Sequence, residues 1–120
     1  MFDWSDFLDV AEELANKTGD EAALRTAIGR AYYAAFGMAR DRLIRSGVRI
    51  PQAGAAHAVV WDRFHASPNR AERRIANLGR QLRKRRSWAD YDASYPNVAS
   101  EARKAVRWAR QVLTDLAALR

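Results

Sequence analysis

The feature that limits the fold most is a spacing. Apolar residues recur three and four positions apart along nearly the whole chain, and no stretch shows the strict alternation of a half-buried strand. Ser5 to Lys17 is expected to be a first helix, capped by Ser5 or Asp3, with Phe7, Leu8, Ala11, Leu14 and Ala15 as its apolar stripe. Thr18-Gly19-Asp20 ends it: Gly19 suits a left-handed position and Asp20 can cap the next helix. Glu21 to Ser46 is a long second helix closed by Gly47, with Leu24, Ala27, Ile28, Ala31, Ala35 and Met38 on one face. Thr26, Gly29, Tyr33, Gly37, Arg40 and Ile44 share its opposite side. Two glycines there cost roughly 1 kcal/mol each in helix propensity. Either another helix approaches closely, from this chain or from a second copy, or the glycines are tolerated on a wet face.

Val48 to Gly54 is a loop, because Pro51 biases Ile50 away from helix. Ala55 to His65 is a short third helix that turns Val59, Val60 and Phe64 inward and can bury Trp61. Ser67-Pro68-Asn69 breaks the chain and caps a fourth helix with the stripe Ile75, Leu78 and Leu82. Extending that stripe puts Arg86 and Ala89 on the inward side and Arg83 at its edge, leaving the other basic residues in water. Asp92 to Pro96 is a turn, and Asn97 can cap a last helix from Val98 to Leu119. Its inward residues are Ala102, Ala105, Val106, Ala109, Val112, Leu113 and Leu116. The expected fold is therefore all-α, an antiparallel up-and-down bundle of four to five helices, in one domain spanning residues 1–120.

Charge adds a second constraint. The chain carries 21 Lys and Arg against 14 Asp and Glu, and Asn69 to Tyr91 alone holds eight basic residues against two acids, six of the net seven positive charges. Such a concentration favours polyanionic partners, namely nucleic acid, nucleotides, an anionic membrane face or an acidic protein. No apolar run approaches the ~18 residues of a membrane span. The amino-terminal segment is acidic and amphipathic, unlike a secretory signal, and with no cysteine nothing calls for an oxidising compartment. A cytoplasmic location is expected.

Several chemistries lack their residues. There is no phosphate-cradling glycine loop, no dinucleotide fingerprint and no serine in a nucleophile turn. His57 and His65 are eight apart, too far along one helix to share a metal, so neither a metal site nor a cofactor is expected. There remain the aromatic-rich second helix and the element Arg86-Ser-Trp-Ala-Asp-Tyr91.

Arg30-Ala-Tyr-Tyr-Ala-Ala-Phe36 in a long second helix, then Gly54, His57 and Phe64, then Leu82 to Tyr91 before a final helix, resembles the HEPN family over roughly Leu24 to Leu116. The resemblance is closest to a prokaryotic branch with RAYYAxF and an R-N-x-A-D-Y element. It implies a four- or five-helix bundle, commonly a homodimer that joins two copies of the arginine element in a cleft. It also implies, for many members, a metal-independent ribonuclease that serves as a toxin beside a nucleotidyltransferase antitoxin. Arg86 matches the family's motif arginine and Ser87 its polar position. Tyr91 stands where the nucleases carry histidine.

Cleavage of RNA without a metal needs a group titrating near neutrality and a cation for the developing charge. Tyrosine, with an unperturbed pKa near 10, serves the first need poorly, whereas Arg86 can clamp a phosphate and Tyr91 can donate a hydrogen bond or stack on a base. The candidate catalytic residues are accordingly Arg86, Tyr91 and Asp90, with His57 as another proton carrier. The candidate nucleic-acid-binding residues are Arg80, Arg83, Lys84, Arg85 and Arg86. A purely structural role is also open, in which Asp90 pairs with Arg86 and Tyr91 packs on the last helix. Three functions are open on these residues: RNA or nucleotide binding, as in a toxin; docking of an acidic partner such as a nucleotidyltransferase; and metal-independent RNA cleavage.

Overall fold

Asp20 and Asn69 start the two helices on which the molecule is built. Asp20 accepts a hydrogen bond from the Ala23 N–H at 3.1 Å, and Asn69 Oδ1 accepts one from the Glu72 N–H at 3.1 Å. Each satisfies an amide that the first helical turn leaves unpaired. The structure is a computed structural model that describes residues 1–119. It contains α1 (Asp6–Ala15), α2 (Glu21–Arg45), α3 (Ala55–His65), α4 (Arg70–Tyr91) and α5 (Val98–Ala118), and no strand among the described residues. The all-α bundle expected from apolar spacing is the fold observed. Among the described residues no helix is long and apolar enough to cross a membrane.

The helix α2 is the axis, touching all four others. Leu24, Ile28 and Ala35 are buried on the expected face, and burial extends to Phe36 and to Gly29 and Gly37 on the opposite side, where close approach was one of the two readings open. The reason is its position: α1 and α5 pack on it as well as α4 and α3, whose Trp61 and His57 meet Tyr32 and Phe36 directly.

Gly37 is close-packed, as its cost in propensity suggested, but by an indole rather than a helix. A Cβ at Gly37 would lie 2.4 Å from Trp4 Cγ and Cδ2, so only glycine lets Trp4 lie against α2. Gly79 does the same on α4 for Trp61, whose Cε3 would stand 2.4 Å from an added Cβ. Gly29, although buried, would place a Cβ in open space.

Three local expectations are corrected. Gly19 is not left-handed; α1 is instead closed by the Asn16 and Lys17 amides, which bond back to Glu13 and Leu14, and the positive-φ glycine is Gly47 after α2, at φ 88°. Asn97 does not cap α5 with its side chain, because its backbone has turned to φ 59° and ψ 33°, a conformation that asparagine tolerates. At α1, Ser5 makes no cap bond, and its N–H and Oγ–H both donate to Asp3 Oδ1, at 2.9 and 2.6 Å.

A buried charge ties α4 to α5. Asp115, 5% exposed, accepts from Arg74 Nε and Nη2, both at 2.7 Å, and from Gln111 at 2.9 Å. The hydrogen bonds from Arg74 hold its carboxyl below the usual range.

Candidate functional site

The end of α4 is set from a distance by α2. Arg25 donates to the carbonyls of Ala89 at 3.0 Å, Asp92 at 2.6 Å and Ala93 at 3.3 Å, and Glu21 steadies its Nε at 2.9 Å. Carbonyls at a helix end have no intrahelical donor, so one guanidinium from a neighbouring helix caps α4 and fixes the turn that carries Arg86, Asp90 and Tyr91.

Arg86 lies with its Cζ 5.4 Å from the Tyr33 ring centre and 5.8 Å from that of Tyr91. Asp90 Oδ2 stands 2.9 Å from Arg86 Nε, out of line with the N–H, so the two form an ion pair while the buried Nε keeps no hydrogen-bond acceptor. The expected pairing of Asp90 with Arg86 is present. The expected packing of Tyr91 on the last helix is not: Tyr91 is 74% exposed, because its position on α4 is turned away from α5.

Beside Arg86 a chain of hydrogen bonds runs out from the core. Trp61, 1% exposed, donates its Nε1–H to the Tyr32 hydroxyl at 3.2 Å, and that hydroxyl lies 2.5 Å from His57 Nδ1. Burial pushes the Tyr32 phenol well above its ordinary pKa, so it keeps its proton; Trp61 can only donate to that hydroxyl, which leaves His57 Nδ1 as the acceptor for the Tyr32 proton. His57 is driven the other way, downward, first by burial and then by the charges of Arg83, Arg86 and Arg40. It is therefore neutral at pH 7, accepting at Nδ1 from Tyr32, and Nε2–H is the donor it can offer a ligand. Phe36 stacks on the imidazole with ring centres 4.3 Å apart.

His57 and Phe36 border a cleft of about 750 Å³ between α2, the residues preceding α1 and the loop before α3. Trp4, Phe7, Tyr33, Phe36 and His57 line it, with Arg30 and Arg40. Tyr33, Arg40 and Ile44 come from the side of α2 that apolar spacing had set opposite the core, so that side is a cleft wall and not simply a wet face.

The basic residues of α4 divide by direction. Arg83 and Lys84 are exposed, and among the described residues neither has a carboxylate within ion-pair distance. Arg80 is engaged with Asp62 of α3 at 2.5 Å. Arg85 was expected in water but is turned to α5, where its Nε lies 3.4 Å from Glu101 and its Cζ 4.6 Å from the Trp108 ring centre. Its side chain is 14% exposed against 25% for Arg86, so Arg85 is the more buried of the two. The charges of Arg83 and Arg86 thus act on His57, whereas Arg80 and Arg85 are occupied elsewhere. Arg30 and Arg40 were not among the expected site residues. Their signal was present in the sequence, since each lies within four positions of an aromatic residue on the same helix, Tyr33 and Phe36 respectively.

Among the described residues no group of three or more His, Cys, Asp or Glu side chains could hold a metal. Fold and site together define a five-helix bundle with an arginine- and aromatic-lined cleft. The chain matches no family model, no curated protein and no solved structure with which it was compared.

Proposed function

We propose that this protein binds RNA or nucleotides, using Arg83, Lys84 and Arg86 on phosphates and the rings around His57 on bases. The observation that carries this reading is Arg86 lying between the rings of Tyr33 and the exposed Tyr91, with Tyr33 and Phe36 against a neutral, half-buried His57 that also feels the charges of Arg83 and Arg40. Planar guanidiniums suit phosphate oxygens, aromatic faces suit unstacked bases, and single-stranded RNA offers both. Neutral His57 adds an N–H donor without adding charge.

Binding is better supported than cleavage. A proton acceptor for the 2′-hydroxyl needs a free nitrogen lone pair, and the one at His57 Nδ1 is taken by Tyr32. Docking of an acidic protein would use the exposed charges of Arg83 and Lys84 but gives no role to the rings beside them. The HEPN resemblance points toward RNA as well. On that reading the protein is a HEPN-like toxin, paired with a nucleotidyltransferase antitoxin and working as a homodimer, for which the exposed Ile44 at the cleft rim supplies apolar surface.

Titration of a labelled single-stranded RNA at several salt concentrations tests the proposal. The expected result is an affinity that falls with salt, and a slope of log K against log salt reduced in magnitude by about 1.4 in Arg83→Ala/Arg86→Ala, two phosphate contacts at about 0.7 each on a single strand. No affinity at low salt, or the same affinity in that variant, overturns it.

A further inference from the structure

We infer that the cleft beside α2 is a subsite for one nucleoside monophosphate unit, its base lying against the rings and its phosphate on Arg40. The inference rests on the reading of the protein as an RNA or nucleotide binder and assigns the ligand of the cleft that shares Tyr33, Phe36, Arg40 and His57 with that site.

The cleft is built by two Arg residues held on rings. Arg40 Cζ lies 4.9 Å from the Trp4 ring centre and 5.4 Å from that of Phe36. Arg30 Cζ lies 4.6 Å from Phe7 and 5.2 Å from Tyr33. A guanidinium resting on a ring uses its flat face there and keeps its in-plane N–H donors for another partner. Among the described residues neither arginine has a carboxylate within ion-pair distance, so both charges are held in place with no anion. Side chains immobilised in this way lose little further entropy when a ligand arrives.

Trp4 supplies the second argument. It forms one wall only because Gly37 has no Cβ, and that glycine sits in the interior of a long helix at a cost of roughly 1 kcal/mol. Shape and chemistry then select the occupant. A volume of about 750 Å³ is in the usual range for small-molecule sites. The ten residues from Arg30 to Arg40 span roughly 15 Å of helix, enough for a base, a sugar and a phosphate between the two cations. An inorganic anion would leave the rings uncovered, and a neutral aromatic would leave the arginines unpaired.

The unit can be a free mononucleotide or the 5′-phosphorylated end of an RNA. Calorimetric titration of the full chain with AMP, adenosine and inorganic phosphate tests the shared chemistry. Saturable AMP binding is expected, at least about tenfold tighter than either fragment, and weakened about tenfold in Arg40→Gln and in Arg30→Gln, each shown to be folded by its thermal melt. Binding of adenosine as tight as that of AMP, or unchanged AMP affinity in both variants, overturns the assignment. An oligoribonucleotide that binds more tightly with a 5′-phosphate than with a 5′-hydroxyl, in competition with AMP, identifies the RNA end as the source. Equal binding of the two alongside tight AMP binding identifies the free nucleotide. Salt-dependent RNA binding that persists while AMP fails to bind removes this subsite and leaves the RNA-binding proposal standing.

Discussion

Replacing Gly79 with alanine adds one methyl group and is expected to destabilise the protein and disturb its site together. The new Cβ would stand 2.4 Å from Trp61 Cε3 and Cζ3 and 2.6 Å from Cδ2, all atoms of a rigid ring that is 1% exposed. The ring cannot yield outward, so α3 and α4 must part. Overpacking of this kind costs about 1–3 kcal/mol. If Trp61 moves, its N–H loses the Tyr32 hydroxyl, and a buried unpaired donor costs about another 1–3 kcal/mol. Against this, alanine gains about 1 kcal/mol in helix propensity. The net loss centres near 3 kcal/mol, equivalent to about 12 °C in Tm at the usual unfolding entropy for a chain of this size. Gly29→Ala is the control, because its Cβ meets nothing within 4 Å; there the propensity gain stands alone and Tm is expected to rise by about 2–4 °C. Thermal unfolding by circular dichroism measures both. A Gly79→Ala protein as stable as the parent would refute the claim that Trp61 seated on Gly79 sets the spacing of α3 and α4.

Other perturbations test separate parts of the structure. Because the folded pKa of His57 lies below the unfolded reference of about 6.5, the unfolded chain takes up the proton first; thermal melts should show stability falling as pH drops from about 7 toward that folded value, and His57→Gln should flatten the fall. Asp115 is also depressed, so its contribution is present above about pH 4 and lost as pH falls through its folded pKa; urea melts of Asp115→Asn should show lower stability at neutral pH and a shallower loss in acid. Arg25→Ala removes the donors on the Ala89, Asp92 and Ala93 carbonyls, so hydrogen exchange should quicken in the last turn of α4 and RNA affinity should fall although Arg83 and Arg86 are intact.

Much of this architecture was legible in the residues because it is local. The bounds of α3 and the caps Asp20 and Asn69 come from spacing and from short polar side chains next to a helix start. Less legible was which arginine turns inward. Successive residues on a helix differ by 100°, and Arg85 and Arg86 flank the Leu82–Ala89 stripe on either side. The balance was tipped by Trp108 and Glu101 of α5, which offer Arg85 a ring and a carboxylate that no pattern within α4 contains. Arg25 capping a helix 64 residues away, and Asp115 meeting Arg74 across 41, are equally invisible to any local rule. His57 looked like a lone histidine because its partners, Tyr32 and the three arginines, lie on two other helices. Spacing did locate the side of α2 bearing Tyr33, Gly37 and Arg40, the side that the cleft occupies.

The placement of the RNA surface is tested most directly by NMR titration of the isotopically labelled protein with a short single-stranded RNA. The outer face of α5 also carries exposed basic residues, Arg103, Arg107 and Arg110, so charge alone does not decide where RNA sits. The expected result is that side-chain shifts concentrate on Arg83 and Arg86 Nε–H, the His57 imidazole and the Tyr91 ring, with the α5 arginines unmoved. Shifts confined to Arg103, Arg107 and Arg110, with His57 and Arg86 unchanged, would contradict it.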